Sequence, residues 1–252
     1  MLRSIKKVVL GLLVINATLF ADKINIAVAA NVSYAINDLI AEFHKSHPNT
    51  QVGVTLGSSG KLTAQIKNGA PYNLFMAANM KYPTALYTDK IATTEPMIYA
   101  QGSLAMLSAK KVDFSKGIML ASDSTIVKIA IANPKTAPYG KAAVEAMINA
   151  KIYDEVKGKY VFAESISQTV SYTLTATDIG FIAKSSLYSP KMTQYKEGIN
   201  WSDVDPTLYT PINQGIVILS NAKQNGEVKA FYDFILSSKA KEIFKRFGYL
   251  VP

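Results

Sequence analysis

Five consecutive residues, Gly57-Ser58-Ser59-Gly60-Lys61, have the composition of a loop that binds phosphate groups. A P-loop needs a glycine four residues ahead of its Gly-Lys pair and a serine or threonine after the lysine. Thr55 and Leu62 occupy those two positions, so the sequence does not predict a nucleotide site. A turn of small residues that opens a helix still offers N–H groups, hydroxyls and a positive dipole end. The segment therefore predicts a site for another anion.

The remaining reactive side chains form no recognisable catalytic set. The chain has no cysteine, and its two histidines, His44 and His47, lie one turn apart near a predicted helix end. No cysteine or carboxylate pattern completes a metal site around them. No G-x-S-x-G motif is present, which leaves a serine triad without support. Glu164 and Asp178 could form the carboxylate pair of a hydrolase, although single carboxylates are usually solvated. The inventory favours a binding protein over an enzyme.

The first 21 residues have the pattern of an export signal. A basic start is followed by an apolar run over 8–20, and Ala21 offers a small residue for cleavage. Asn16 and Thr18 interrupt this run, whereas a bilayer span needs about 20 apolar residues. The pattern predicts a signal peptide over 1–21, with a retained membrane anchor as the alternative. The absence of cysteine excludes a lipid-modified cysteine anchor and disulfides.

Charge and length bound the class of protein. The 252 residues carry a net charge of +9, and removal of the signal peptide lowers it to +6, since that segment has three basic residues and no acidic one. The length suits one large domain or two lobes of about 100 residues each. The charge favours a solvated surface over a specific anion-attracting one. No interleaved arginine and aromatic pattern predicts nucleic-acid binding.

Strand-like and helix-like segments alternate along the rest of the chain, which is typical of a mostly parallel sheet. Apolar runs predict strands at 24–29, 52–56, 74–78, 104–107, 129–132, 180–183 and 215–219. Helical spacing of apolar residues predicts helices over 34–45, 62–69, 142–150 and 228–247. The pattern restarts after residue 100 without a low-complexity linker. The sequence therefore predicts two α/β lobes joined by extended crossings.

Small and hydroxyl-bearing residues recur where predicted strands lead into helices. The four loops concerned are 29–33, 57–61, 137–141 and 164–168. Helix capping explains any one of them. In open α/β sheets, however, ligands bind beyond the carboxyl ends of the strands. Two such loops from each half of the chain predict a cleft lined by neutral donors.

Several of these segments resemble periplasmic molybdate-binding proteins of the ModA type, the solute receptors of ABC transporters. The similar segments are Gly57-Ser58-Ser59, 65–71, 73–75, 228–234 and 242–248, and the resemblance covers about 23–251. It implies an α/β, two-lobed periplasmic solute-binding protein of type II, with the ligand cleft between the lobes. We expect lobe one to comprise 22–101 and 207–252, and lobe two to comprise 102–206.

The resemblance also implies neutral hydrogen-bond donors around a tetrahedral oxyanion, with no direct protein–metal ligand and no cofactor. By motif position, Ser59 supplies a hydroxyl, while Tyr139 and Ile166 supply backbone N–H groups. Asn31 stands where many members have serine, so its donor is the amide or the backbone alone. Ala183 stands where many members have a tyrosine whose hydroxyl contacts the anion. We expect the Tyr139 hydroxyl to replace that donor.

Molybdate is the expected ligand, together with tungstate, which has nearly the same size. A receptor for sulfate or phosphate is the alternative, and ferric iron is less favoured because only Tyr139 among the tyrosines lies in a candidate loop. A hydrolase that uses Glu164 and Asp178 is the alternative from another class. The expected partners are the oxyanion and the membrane permease of an ABC transporter, without nucleic acid, and the expected state is a monomer. Lys61 is expected to be an exposed lysine, with steering of anions as the alternative.

Overall fold

The structure is a computed structural model that describes residues 23–252. The predicted signal peptide and its cleavage point near Ala21 lie outside these residues. Within 23–252, no helix combines the length and the apolar character that crossing a membrane requires.

The described residues form ten β-strands in two sheets. The strands are β1 (Lys23–Ala29), β2 (Gln51–Gly57), β3 (Leu74–Met76), β4 (Met97–Gly102), β5 (Leu104–Leu107), β6 (Ile129–Ala132), β7 (Tyr160–Ala163), β8 (Ile179–Ala183), β9 (Trp201–Asp203) and β10 (Ile212–Ile218). The first sheet has the order β2-β1-β3-β10-β4, and the second has the order β7-β6-β8-β5-β9. The two sheets, with flanking helices, confirm the predicted α/β two-lobed class.

In each sheet four strands run in one direction and one strand runs opposite to them. In the first, β1 pairs in parallel with β2 and β3, and β10 runs antiparallel between β3 and β4. In the second, β6 pairs in parallel with β7 and β8, and β5 runs antiparallel between β8 and β9. The carboxyl ends of the parallel strands therefore meet at one edge of each sheet, which is the edge where ligands bind in such folds.

The chain passes from the first sheet to the second between Gly102 and Leu104, and returns between Asp203 and Ile212. We call the part built on the first sheet lobe one and the part built on the second lobe two. The predicted lobe ranges place their boundaries at 101/102 and 206/207, and these boundaries stay a prediction.

Eight α-helices within the described residues cover the sheets. They are α1 (Ile36–His44), α2 (Ser59–Lys67), α3 (Lys81–Thr88), α4 (Pro138–Asn149), α5 (Tyr153–Val156), α6 (Ile166–Thr175), α7 (Gly226–Leu236) and α8 (Ser238–Arg246). On one face of the first sheet, Ile26 packs with Phe43 of α1 and Phe231 of α7. On the other face, Ala27 packs with Leu62 of α2 and Leu86 of α3. Successive residues of β1 thus face opposite layers, as strand geometry requires.

The predicted helix over 228–247 is wrong in its continuity, because it divides at Ser237. This residue is extended, with φ of −74° and ψ of 162°, and it separates α7 from α8. Its hydroxyl donates to the carbonyl of Phe234 at 2.6 Å and accepts from the N–H of Ala240 at 3.4 Å. A serine side chain that bonds the backbone in this way competes with continued helix. Apolar periodicity alone does not reveal this break.

Candidate functional site

A small cavity lies between the lobes. Its volume is about 200 Å³, which includes the open space at its entrance. It is lined by Ala29, Ala30, Asn31, Gly57, Ser58, Ser59, Ala78, Ala137, Pro138, Tyr139 and Ile166. The four predicted site residues, Asn31, Ser59, Tyr139 and Ile166, therefore line one cavity. None of these lining residues, all within 23–252, has a charged side chain.

The serine pair after β2 supplies two buried hydroxyls to this lining. Ser59 begins α2 and is 1% exposed, and its Oγ accepts a hydrogen bond from the N–H of Ala78 at 2.9 Å. Because Oγ is the acceptor in that bond, its own proton is left to donate. Ser58, at the preceding position, makes no side-chain cap bond, and its buried Oγ has no partner among the described residues. Ser58 lies in the loop that the sequence predicts to bind an anion, but it is not one of the predicted site residues.

Three residues of the cavity lining lie at the starts of α-helices. Ser59 is the first residue of α2, Tyr139 the second of α4 and Ile166 the first of α6. The N–H groups of a first helical turn have no partner within the helix. The residue before α4 is Ala137, whose side chain has no polar atom that could cap these N–H groups. These N–H groups and their helix dipoles form an environment that favours an anion.

Asn31 lies in a 3-10 turn over Ala30–Tyr34 that follows β1, and it is fully buried. Its Nδ2 donates to Oε1 of Gln214 at 2.7 Å and to the hydroxyl of Tyr249 at 2.9 Å. Both amide protons are therefore in use, whereas Oδ1 has no hydrogen-bond partner among the described residues. In this arrangement the side-chain amide of Asn31 has no proton left for a ligand. Its backbone N–H, in the first turn, has no partner within the helix and remains as the donor.

The Tyr139 hydroxyl lies at the point where the chain crosses between the lobes. A Cβ added to Gly102 would meet this oxygen at 1.9 Å, so the hydroxyl packs directly on that glycine. Nε2 of Gln214 donates to it at 3.4 Å. The side chain is 1% exposed, and burial raises its pKa well above the ordinary value. The phenol therefore keeps its proton at neutral pH and can donate it.

Ala183 ends β8 at 1% exposure and has no hydroxyl to offer. Its carbonyl accepts a hydrogen bond from Oγ of Ser186 at 2.8 Å. Replacement of its missing donor by the Tyr139 hydroxyl stays a prediction.

The two carboxylates considered for a hydrolase lie at opposite edges of the second sheet. Glu164 follows β7, whereas Asp178 precedes β8, and both strands run parallel to β6. Asp178 accepts from the N–H groups of Val127 and Lys128, each at 2.9 Å. These bonds contribute to the lowering of its pKa, although burial, the largest single cause, acts the other way. The two carboxylates therefore do not form the pair that the alternative of a hydrolase requires.

Glu164 instead pairs with Lys61 of the other lobe, at 2.5 Å between Nζ and Oε1. The Lys61 side chain is 50% exposed and that of Glu164 is 58% exposed. An ion pair this exposed contributes about 1 kcal/mol or less. Lys61 is thus an exposed lysine that contacts the opposite lobe near the cavity.

The two histidines make local contacts only. His44 Nε2 lies 2.9 Å from the carbonyl oxygen of Thr50, and the His47 ring stacks on Phe43 with 4.4 Å between ring centroids. Within residues 23–252, no group of three or more histidine and carboxylate side chains could hold a metal ion. His44 ends α1 and His47 follows it closely, so the two histidines lie at a helix end, as the sequence predicts.

Replacement of Ser59 by alanine tests the hydroxyl at the cavity. We expect Ser59→Ala to weaken oxyanion binding by about 1.5–3 kcal/mol, roughly tenfold to over a hundredfold, because one hydrogen bond to a charged partner is lost. The N–H of Ala78 also loses its acceptor, so thermal stability without ligand is measured separately. Ser171→Ala, on the exposed side of α6, is the matched control. Unaltered affinity in Ser59→Ala would remove this hydroxyl from the site.

Comparison with known proteins identifies the family. Residues 24–250 match the model of the bacterial extracellular solute-binding protein family. The molybdate-binding protein ModA of Azotobacter vinelandii is 35% identical over 91% of this chain and 90% of its own length. ModA of Rhodobacter capsulatus is 34% identical over 91% of this chain and 89% of its own length. These relatives confirm the resemblance stated from the sequence.

Solved structures agree with the family match. The periplasmic molybdate-binding protein of Azotobacter vinelandii superposes with a TM-score of 0.83 at 30% identity, covering 91% of this chain and 99% of that one. The sulfate-binding protein SubI of Mycobacterium tuberculosis has a TM-score of 0.74 at 13% identity, covering 90% and 86%, which shows the fold alone. The chain therefore belongs to the bacterial extracellular solute-binding proteins, a family of receptors and not of enzymes.

Proposed function

We propose that this protein is a receptor for molybdate, and for tungstate, that holds the oxyanion between its lobes and delivers it to the membrane permease of an ABC transporter. The observation that carries this proposal is the set of unused polar groups at the cavity. Ser58 Oγ is one of the four buried side-chain polar atoms without a partner among residues 23–252, and Ser59 Oγ, which accepts from the N–H of Ala78, keeps its own proton to donate. Orphaned buried polar groups are rare and call for a ligand or water to satisfy them.

Neutral donors suffice for a doubly charged ligand. Each hydrogen bond to a charged partner contributes about 1.5–3 kcal/mol, so six or seven of them offset a large desolvation cost. N–H groups at the starts of α2, α4 and α6 are fixed by their helices and need no side-chain ordering. Because no lining residue carries a charge, selection depends on the size of the anion and its ability to accept hydrogen bonds.

The other ligands and the hydrolase activity considered from the sequence fit the cavity less well than molybdate does. Sulfate is smaller than molybdate and would make longer, weaker bonds in a site shaped for the larger ion. Ferric iron needs several tyrosine, histidine or carboxylate ligands, whereas Tyr139 is the only such residue in the lining. A hydrolase would need Glu164 and Asp178 together, and they lie at opposite edges of the sheet. The proposed activity is therefore binding without turnover.

We propose further features of this receptor from its sequence. The chain is exported, its first 21 residues acting as the signal peptide, and it works as a monomer without a cofactor or nucleic acid. Lobe one comprises 22–101 and 207–252, and lobe two comprises 102–206. The passage between sheets after Gly102 and the return before Ile212 support this division.

Thermal melting with different ligands tests the proposal. A ligand at one hundred times its dissociation constant stabilises the folded chain by about 2.7 kcal/mol. For a chain of this length we expect molybdate or tungstate to raise the melting temperature by about 5–10 °C. Phosphate and ATP should leave it unchanged, and sulfate should raise it less. A shift with ATP, or none with either of the larger oxyanions, would contradict the proposal.

The Tyr139 hydroxyl is tested by replacement with phenylalanine. If it donates to the oxyanion in place of the donor missing at Ala183, Tyr139→Phe should cost about 1.5–3 kcal/mol of affinity. The backbone N–H at 139 remains, so binding weakens without vanishing. Tyr160→Phe, in the same lobe and outside the cavity lining, is the control. Equal affinity of Tyr139→Phe and wild type would show that this hydroxyl serves only the contacts between lobes.

A further inference from the structure

The side-chain amide of Asn31 has its oxygen unused and its nitrogen fully used. Oδ1 has no partner among residues 23–252, whereas Nδ2 donates to both Gln214 and Tyr249. Molybdate and tungstate carry no proton at neutral pH, so they accept hydrogen bonds and cannot donate one. An acceptor oxygen at the cavity therefore repels them, while an N–H in its place would bind them.

Gln214 determines this orientation. It lies on β10, fully buried, and its Oε1 accepts from Nδ2 of Asn31 at 2.7 Å and from the hydroxyl of Tyr99 at 2.8 Å. Its Nε2 points the other way and donates to the hydroxyl of Tyr139 at 3.4 Å, near the limit of a hydrogen bond. As long as Gln214 presents its oxygen to Asn31, the amide of Asn31 presents its nitrogen to Gln214.

We propose that Gln214 is a positioning residue for oxyanion binding, and that the amides of Gln214 and Asn31 reverse together when a proton-free oxyanion enters. After reversal, Nδ2 of Asn31 faces the anion and Oδ1 accepts from Nε2 of Gln214. Oε1 of Gln214 then accepts the single proton of the Tyr139 hydroxyl, so in this bound state the amide of Asn31, and not the Tyr139 hydroxyl, donates to the anion. This inference rests on the proposed function and adds the group that selects anions without a proton.

The surroundings permit both arrangements. The partners of the two amides include the hydroxyls of Tyr99, Tyr139 and Tyr249, and a hydroxyl can donate or accept. Burial raises the pKa of all three phenols, so each keeps its proton. Tyr99 can donate instead to the carbonyl of Ala77, at 3.3 Å. Every buried group therefore has a partner after the reversal, as buried polar groups require.

Gln214→Glu separates the two orientations, because an ionised carboxylate accepts hydrogen bonds and donates none. It holds Nδ2 of Asn31 toward position 214 and prevents the reversal. The added charge also repels any anion, so Gln214→Glu is compared in two backgrounds. The second background is Asn31→Ser, since a serine hydroxyl can turn toward the anion without help from Gln214.

The experiment is a double-mutant cycle with molybdate as the probe, measured by calorimetry at about pH 8.5 and again at about pH 10, because burial at position 214 raises the pKa of a carboxyl group and the test needs that group ionised. We expect Gln214→Glu to weaken binding at least about tenfold more in the wild-type background than in the Asn31→Ser background. The charge acts alike in both, so the difference isolates the amide. Equal losses in the two backgrounds would overturn the inference. If Gln214→Glu does not fold, Gln214→Met is used in the same cycle, and additivity again overturns it.

A second readout compares two anions of equal charge. At about pH 8.5 hydrogen arsenate is a tetrahedral dianion with one proton, which can donate to Oδ1 of Asn31, whereas molybdate has none. Gln214→Glu should lower the affinity for molybdate more than that for hydrogen arsenate. A merely structural role would lower both alike. If the wild-type protein does not bind molybdate, the proposed function is wrong. If it binds molybdate but the effects of the two substitutions simply add, only the inference about Gln214 is wrong.

Discussion

Gly60→Ala is expected to weaken molybdate binding by about 1–3 kcal/mol, which is roughly fivefold to over a hundredfold, without destabilising the unliganded protein. Gly60 lies in the first turn of α2, and its N–H donates to the carbonyl of Thr136 in lobe two at 2.9 Å. An added Cβ would lie 2.9 Å from Cα of Thr136 and 2.7 Å from the hydroxyl of Tyr82. The methyl group therefore keeps the lobes apart.

The effect is specific to the closed arrangement. When the lobes separate, alanine fits the helix better than glycine does, so the free energy of unfolding without ligand should not fall. Gly226→Ala is the control, because its added Cβ meets no atom within 4 Å. Calorimetric titration and thermal melting are run on both variants. Wild-type affinity in Gly60→Ala would mean that the lobes do not meet at Thr136 when the anion is bound.

Gly140→Ala is expected to lower the free energy of unfolding by about 3 kcal/mol and to weaken oxyanion binding as well. Gly140 is the third residue of α4, and its added Cβ would lie 1.9 Å from the carbonyl oxygen of Ala132 at the end of β6. The clash is with backbone, which cannot rotate away. The start of α4 must therefore move off the sheet, and it takes the N–H of Tyr139 with it.

Gly158→Ala is the matched control for this clash, since it lies in the same lobe and its added Cβ has no neighbour within 4 Å. Urea unfolding gives the stability of both variants, and titration with molybdate gives their affinity. If Gly140→Ala loses stability but binds as wild type does, the start of α4 does not contribute a donor.

Much of the fold follows from local patterns in the sequence. The run Ile24–Ala29 predicts a buried strand because every residue except Asn25 is apolar, and β1 covers it. The alternation of Val52, Val54 and Leu56 likewise predicts β2. The break at Ser237 was not predicted, because it depends on side-chain bonds to the backbone and not on apolar spacing. The Ser237-Ser238 pair is the one local signal that could have revealed it.

The candidate site was predicted in part. Loops that follow strands indicated Asn31, Ser59, Tyr139 and Ile166, because the carboxyl ends of parallel strands meet at one edge. Gln214 was not predicted, although a polar side chain within the apolar strand β10 is unusual and marks a group with a buried partner. Its contacts with Asn31 and Tyr99 join residues 183 and 115 positions apart, which no local pattern reveals.

The central claim is that uncharged donors between the lobes hold a large tetrahedral oxyanion. It is tested most directly by calorimetric titration of the wild-type protein, freed of bound anions by unfolding, dialysis and refolding, with molybdate, tungstate, sulfate and phosphate in parallel. We predict one molybdate or tungstate per chain, bound at least about a hundredfold more tightly than sulfate, a difference of about 2.7 kcal/mol. Tighter binding of sulfate or phosphate, or no heat with molybdate and tungstate, would contradict the claim.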